Sequence, residues 1–282
     1  MQRIIEQALK RIPTEPYPEL RLVLERFVGG VQDAVEANFV GAYLVGSLAT
    51  GNFDHDSDID FLIVTDEELT GAQVQALQAL HVELHSLGCY PAQHLEGSYI
   101  PRDLLNRADQ VGTQQLWYID NGSTVLERSL HDNKWHVLWI LRERAITLTG
   151  PDPRKLFQPV SPETLRGEML ASVEKLRSGF VAEIGKPLGW FNTRFGQSFT
   201  VLTCCRILHT LQSGTVKSKL AGVEWALRSL NTEWHGLIRQ AWAEREGVRF
   251  GVRVRQLADT KRLQETARFI AYVQNELGLH PQ

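Results

Sequence analysis

Two short apolar runs, Phe39 to Val45 and Ile59 to Val64, constrain this chain more than anything else in it. The first breaks at Gly46-Ser47, and a polar loop follows that carries Asp54, Asp56 and Asp58 before the second run opens with Asp60 near its start. In a β-strand, residues i and i+2 point to one face, so a strand spanning Asp58 to Val64 projects Asp58 and Asp60 side by side. Two adjacent carboxylates repel unless a cation lies between them, and hard oxygen ligands suit Mg²⁺. Gly46 lets backbone approach a ligand closely, and Ser47 offers a hydroxyl and an N–H to a phosphate oxygen. A short helix opening at Gly46-Ser47 would aim its first N–H groups at the same place. A calcium loop starting at Asp54 is excluded, because its sixth and twelfth positions hold Ile59 and Thr65 instead of glycine and an acid. The pattern implies chemistry at a nucleotide phosphate.

Gly46-Ser47, ten residues, then Asp58-Ile59-Asp60 resembles the signature of the DNA polymerase β-like nucleotidyltransferase superfamily. The wording GSLATG followed by SDIDFLIV is most similar to the streptomycin/spectinomycin adenylyltransferases. The resemblance implies that AMP moves from ATP to a hydroxyl of a small, cationic acceptor. Asp58 and Asp60 then hold two Mg²⁺ ions, and Gly46, Ser47 and Ser57 contact the nucleotide. A third carboxylate is expected from a neighbouring strand. The segment Ala92 to Ile100, ending before Pro101, reads as that strand, and Glu96 is its one acid. Glu96 is the implied catalytic base, a contributor to the metal site and a contact to the acceptor. Glu83 on the preceding helix is the competing candidate. Trp117 matches loosely a tryptophan that stacks on the aminoglycoside in the resembled enzymes; its other reading is core packing.

Around this stretch the periodicity predicts a helix over residues 17–36, which Gly29-Gly30 weakens, and another from Gln73 to Leu87 stopped by Gly88. Residues 108–133 show no regular pattern beyond a turn signal at Asp120-Asn121-Gly122. Trp135 to Thr147 reads as a helix, and Gly150-Pro151-Asp152-Pro153 as a linker, which sets a domain boundary near residue 155. After it, Pro162–Glu183, Ser198–Leu211, Ser218–Leu230, Glu233–Arg245 and Arg255–Leu277 all carry helical spacing and suggest a bundle. The expected class is α+β. A nucleotidyltransferase domain (1–155, a small mixed sheet with flanking helices) precedes an α-helical domain (156–282), and the two close on ATP.

The resemblance runs on into the helical half. Val201 to Leu208 is similar to the helix that supplies a phosphate-contacting arginine, which implies Arg206. Ser213 to Lys219 is similar to a loop that brings a lysine to the triphosphate, which implies Lys219, and Trp242 falls where the family has an aromatic near the nucleotide. One departure stands out. The adenylyltransferases carry a carboxylate for the cationic antibiotic just before the arginine helix, whereas Asn192 to Ser198 contains no acid and one arginine.

Composition narrows the partners. At 282 residues, 43% apolar and 22% charged, the chain can form two ordinary globular domains. Its net charge of −3 disfavours a duplex-binding or RNA-terminal role. The one basic stretch, Arg245 to Arg255 and on to Lys261-Arg262, reads as a solvated face. Three cysteines, two of them adjacent, make no disulfide framework or zinc pattern. No apolar run reaches membrane-spanning length and the start lacks a signal-peptide core, so a cytoplasmic monomer is expected. The rivals are the same fold acting on a metabolite or a protein side chain, and a nucleotide sensor. Against the sensor stands the Asp58/Asp60 pair, since mere binding has no need of two metals.

Overall fold

The computed structural model describes residues 17–184, 186, 189–245, 256–258 and 260–279. They fall into two compact units that divide between Val160 and Ser161.

The first unit is built on a six-stranded sheet in the order β5-β4-β3-β2-β1-β6. The strands are β1 (Phe39–Leu44), β2 (Ile59–Thr65), β3 (Leu95–Pro101), β4 (Leu116–Ile119), β5 (Leu126–Ser129) and β6 (Ile146–Thr149). Only β2 and β3 pair in parallel; every other neighbour is antiparallel. Two helices, α1 (Leu20–Val35) and α3 (Gly71–His85), pack on each other and bury one face of the sheet, while the five-residue α2 (Gly46–Thr50) follows β1 directly. Helix α1 presents Leu20, Val23, Leu24, Phe27, Val28, Val31 and Val35 to that core, one apolar stripe at three-and-four spacing. Gly30, which argued against this helix in the sequence, is what the packing requires: a Cβ there would lie 2.3 Å from the Leu80 Cδ1 on α3. Helix α3 starts two residues before the expected Gln73, because Thr70 and Gln73 form a reciprocal capping box.

Three local expectations need correction. Ala92-Gln93 lie in a helical turn, α4 (Tyr90–Gln93), with Pro91 in its first turn, so the third strand begins only at Leu95. The helix from Trp135 stops at Glu143 (α5), and Ile146–Thr149, rich in β-branched residues, pairs with β1 as an edge strand. The irregular stretch 108–133 contains the β4–β5 hairpin, whose turn is the Asp120-Asn121-Gly122 signal with Gly122 at φ +75°. The Gly150–Val160 segment belongs to the first unit. Tyr43 donates its hydroxyl proton to the Pro151 carbonyl at 2.8 Å, and Pro153, Phe157 and Val160 are buried.

The helix-covered face encloses a histidine. His81 is 3% exposed, lies among Phe27, Phe61 and Tyr99, and shares a 2.8 Å hydrogen bond with the Tyr99 hydroxyl. Burial pushes its pKa from 6.5 down to about 4. The unfolded chain takes up this proton between those values and the folded chain does not. Stability therefore falls as pH drops from 6.5 toward 4, by about 3 kcal/mol for this group. Chemical denaturation across that range should show the loss in the native protein and a flatter pH dependence in His81→Gln. Parallel profiles for the two would remove His81 as the cause.

The second unit consists of α6 (Pro162–Glu183), α7 (Arg194–Ser213), α8 (Lys219–Ser229), α9 (His235–Arg245) and α10 (Thr260–Glu276). Helix α7 packs against all four others and is buried around most of its circumference, down to Gln197, Thr200, Cys204 and Cys205. Burial pushes the Cys204 thiol up to about 12, so it behaves as a small apolar group. Glu244 on α9 gathers several donors: Arg194 donates to it at 2.9 Å, the Ser198 hydroxyl at 3.2 Å, Gln240 at 3.4 Å, and the buried Arg262 pairs closely with it. Burial works against its charge, but the two arginines outweigh burial and hold the carboxyl below its usual range. Arg262, expected on a solvated basic face, is instead 3% exposed inside this network. Residues 246–255 of that basic stretch, and the Arg255 start of the last helix, lie outside the described residues. No helix among the described residues is long and apolar enough to cross a membrane.

Candidate active site

The parallel pair β2–β3 sets the geometry. Its register places Asp60 opposite Glu96 and Leu62 opposite Ser98, and β3–β4 pairing places Ser98 opposite Tyr118. Residues paired across neighbouring strands share a face, so Asp60, Glu96, Ser98 and Tyr118 line the face opposite the α1/α3 core. The alternate set, Ile59, Phe61, Leu95 and Tyr99, belongs to that core. Asp58 immediately precedes β2, and Asp58 and Asp60 are both half-buried.

The β1–α2 turn closes against this pair. The Val45 N–H donates to the Asp60 carbonyl at 2.9 Å, and Gly46 sits at φ +56°, where a side chain is strained. A Cβ on Gly46 would fall 1.8 Å from the Asp60 Oδ2, so glycine makes room for the carboxylate as well as for the turn. The Ser47 hydroxyl is buried with no hydrogen-bond partner among the described residues. A buried orphan hydroxyl is costly, and a phosphate oxygen is chemically suited to accept its proton. These features fit a Mg²⁺-bound triphosphate. Mg²⁺ commonly takes one or two carboxylates and completes its shell with water and substrate phosphate.

Glu96 has its own setting. The Tyr118 hydroxyl donates to its Oε1 at 2.7 Å, His131 Nε2 lies 3.3 Å from the same oxygen, and the His131 ring stacks on Tyr118 at 4.9 Å. The Tyr118 hydroxyl also lies within 2.9 Å of the Asp120 carboxylate, and Ser98 donates to Asp132 at 2.7 Å. Burial raises the Glu96 pKa above the ordinary carboxylate range, with His131 and the Tyr118 hydrogen bond opposing it in part. Asp132 is raised likewise by burial. A carboxylate held above its usual pKa is a stronger base once ionised, as proton abstraction requires.

Several expectations shift here. Among the described residues, no three His, Cys, Asp or Glu side chains converge on a site able to hold a metal. Glu96 lies opposite Asp60 in the strand register, and its Oε1 is engaged by Tyr118 and His131. Glu83 is exposed on α3, the helix that covers the opposite face, which leaves Glu96 the better placed of the two acids. Trp117 pairs with Tyr99 on the covered face, packs against the core and lies under the Arg128 guanidinium, 4.3 Å from its ring centre. Strand alternation puts its neighbour Tyr118, and not Trp117, on the face that carries Asp60 and Glu96. Ser57 is 3% exposed, and its hydroxyl donates to Asp54 at 2.7 Å, so it staples the loop.

In the second unit, Arg206 and Lys219 lie along one helix seam. The backbone of Arg206 on α7 meets Gly222 on α8, and the Lys219 ammonium at the start of α8 lies 5.5 Å from the Phe199 ring centre. Trp242 on α9 carries the Arg245 guanidinium at 5.1 Å. Sequence reasoning missed Tyr118, Asp120, Asn121, His94, His131 and Asp132. The turn signal at Asp120-Asn121-Gly122 was visible, but not that Asn121 reaches Asp58 and Asp120 reaches Tyr118.

A mixed sheet whose parallel strands bring carboxylates together beside a Gly-Ser turn defines a nucleotidyltransferase domain. Comparison with known proteins agrees: residues 24–111 match the family model for the nucleotidyltransferase domain, and residues 155–275 match that for the aminoglycoside adenylyltransferase C-terminal domain. A spectinomycin 9-adenylyltransferase of Campylobacter jejuni is 23% identical, over 73% of this chain and 78% of its own length. An aminoglycoside (3'') (9) adenylyltransferase of Escherichia coli is 24% identical, over 92% of this chain and 95% of its own. The crystal structure of spectinomycin adenyltransferase AAD(9) from Enterococcus faecialis with ATP and spectinomycin shares the fold with a TM-score of 0.66 at 17% identity. That likeness covers 91% of this chain and 98% of the other. The chain belongs to the aminoglycoside adenylyltransferase-like nucleotidyltransferases.

Proposed function

We propose that this enzyme transfers AMP from Mg·ATP to a hydroxyl of an aminoglycoside-type antibiotic such as spectinomycin or streptomycin. One observation carries the chemistry: Asp60 and Glu96 face each other across β2–β3, beside a Gly46 turn that a side chain would block. The acceptor oxygen forms a bond to the α-phosphorus of ATP, the bond from that phosphorus to the bridging oxygen breaks, and pyrophosphate leaves. Glu96 takes the acceptor's proton on its carboxylate. Asp58 and Asp60 hold Mg²⁺, which when bound lowers the acceptor hydroxyl's pKa and neutralises charge on the phosphates. Ser47 donates its unpartnered hydroxyl to a phosphate oxygen, and Gly46 keeps the approach open. The names of the similar enzymes support the acceptor class. Pyrophosphate release from Mg·ATP, measured across spectinomycin, streptomycin and a metabolite panel, tests the reading. Release with no acceptor above background would overturn it.

Arg206 and Lys219 are proposed to contribute to nucleotide affinity, with Trp242 as a neighbouring aromatic contact. Charge-assisted bonds to phosphate are worth about 1.5–3 kcal/mol. Arg206→Ala and Lys219→Ala should each weaken binding of a non-hydrolysable ATP analogue by roughly ten- to a hundredfold in calorimetric titration. Unchanged affinity in both would return these side chains to the helix surface.

A second reading, the same transfer to another small-molecule acceptor, has a specific observation behind it. Trp117 lies on the covered face of the sheet, and Asn192 to Ser198 holds no acid, only an arginine already paired with Glu244. Two features expected for gripping a streptomycin-like cation are therefore not in place. The acceptor panel separates the two readings.

A further inference from the structure

The Asp120-Asn121-Gly122 turn does more than connect β4 to β5. The Asn121 side-chain amide donates to Asp58 Oδ1, and its carbonyl oxygen lies 2.6 Å from His94 Nδ1. A carboxylate only accepts, so the amide nitrogen must face Asp58 and the oxygen must face His94, which in turn requires a proton on His94 Nδ1. His94 is itself held from behind. Its ring stacks on Tyr90 at 3.9 Å, and Tyr90 stacks on Tyr17 at 4.4 Å with the planes 5° apart. Tyr17 donates its hydroxyl to the His55 carbonyl at 2.6 Å, in the loop that leads to Asp58. The His94 carbonyl accepts the Ile59 N–H at 2.9 Å, which fixes the entry to β2.

From this juxtaposition we propose that Asn121 is a positioning residue for the cation site, held by His94, that sets the orientation of the Asp58 carboxylate. The inference rests on the reading of Asp58 as a Mg²⁺ ligand. A half-buried carboxylate at the mouth of a strand has two rotatable bonds. Anchoring one oxygen to an amide that is itself anchored fixes its plane before the cation arrives, so less order has to be imposed on binding. Removal of such a partner to a metal ligand typically costs ten- to a hundredfold in affinity or activity. The hydrogen-bond chain gives a role to the Tyr17–Tyr90–His94 stack, which the transfer chemistry alone leaves idle.

The test is Mn²⁺ binding to the full-length protein, followed by electron paramagnetic resonance with a non-hydrolysable ATP analogue present, in Asn121→Ala, His94→Phe, the double variant and Asp58→Asn. Asn121→Ala should weaken Mn²⁺ roughly ten- to a hundredfold. His94→Phe, which keeps a stacking ring but cannot donate, should weaken it less. The double variant should match Asn121→Ala alone, because His94 acts through Asn121. Affinity for the analogue with chelator in place of Mn²⁺ should be unchanged in all. If Asp58→Asn loses Mn²⁺ while Asn121→Ala stays within about twofold of the native value, the positioning role is overturned and the metal site stands. If Asp58→Asn also binds Mn²⁺ normally, the site reading fails with it. A fold-disrupting Asn121→Ala is recognised by a lowered melting temperature. His94→Phe then decides alone, and native Mn²⁺ affinity in that variant counts against the proposal.

Discussion

Asp58→Asn and Asp60→Asn should each abolish the proposed AMP transfer while leaving the protein folded. Asp60 Oδ2 lies close to where a Cβ on Gly46 would fall, and neither aspartate belongs to the buried core, so both side chains stand at the proposed triphosphate site. Asparagine keeps the shape and one oxygen but loses the charge that a hard cation requires. Removing either carboxylate also relieves repulsion within the pair, so neither variant should melt below the native protein. The expected loss of pyrophosphate release is well beyond tenfold, because the Lewis acid that activates the hydroxyl goes with its ligand. Asp60→Asn should be the more severe, since Asp60 stands opposite Glu96 in the strand register while Asp58 is tied to Asn121. Turnover in either variant within about tenfold of native would remove both aspartates from the metal site. Partial rescue of Asp58→Asn by raised Mn²⁺ would instead locate the defect in cation affinity.

How much of this was legible in the sequence depended on how local the determinant is. The Gly46-Ser47 turn and the two aspartates are set by neighbours within fifteen residues: the short helix opens at Gly46 as expected, while the second strand starts at Ile59, one residue after the expected Asp58. The third strand was recognised because Leu95 to Pro101 carries its own pattern, but its start was misplaced across Pro91, whose effect is to open a helical turn. The β4–β5 hairpin was invisible: two four-residue strands have too few positions to show a period. That gap cost the site its best-connected members. Tyr118, Asn121, His131 and Asp132 all arrive through the hairpin or just beyond it, from 22 to 63 residues away in sequence from Glu96, Asp58 and Ser98, the groups they touch on and beside β2 and β3. Trp117 illustrates the same limit. The family resemblance suggested a ligand contact, and only the register of β4 against β3, one residue either way, shows that it faces the core while Tyr118 faces Glu96. Arg262 was misread for a related reason, since its partner Glu244 lies on another helix and no local pattern links them.

Glu96→Gln separates chemistry from binding. Glutamine preserves the side-chain volume and can still accept the Tyr118 hydroxyl proton, but it cannot take a proton from the acceptor. Nucleotide affinity should survive while kcat falls by about 10²–10⁴, the range for loss of a positioned general base. The variant should respond in a second, opposite way. Burial raises the Glu96 pKa in the folded protein, so the unfolded chain releases this proton at a lower pH than the folded one. Ionising Glu96 therefore costs stability as pH rises from the unfolded value through the folded one, and the cost persists above that window. Glutamine carries no such cost, so Glu96→Gln should match the native protein at low pH and exceed it in denaturant midpoint at neutral pH. In the native enzyme the acid limb of the pH–rate profile should lie above the ordinary carboxylate pKa near 4.3 and vanish in the variant. Glu83→Gln, exposed on α3, serves as control and should change neither rate nor stability noticeably. A Glu96→Gln enzyme that keeps native turnover, or one that loses rate only because its nucleotide affinity has collapsed, rules out Glu96 as the base. A fully active Glu96→Gln beside an inactive Glu83→Gln would move the role to the helix, against the strand register that places Glu96 opposite Asp60.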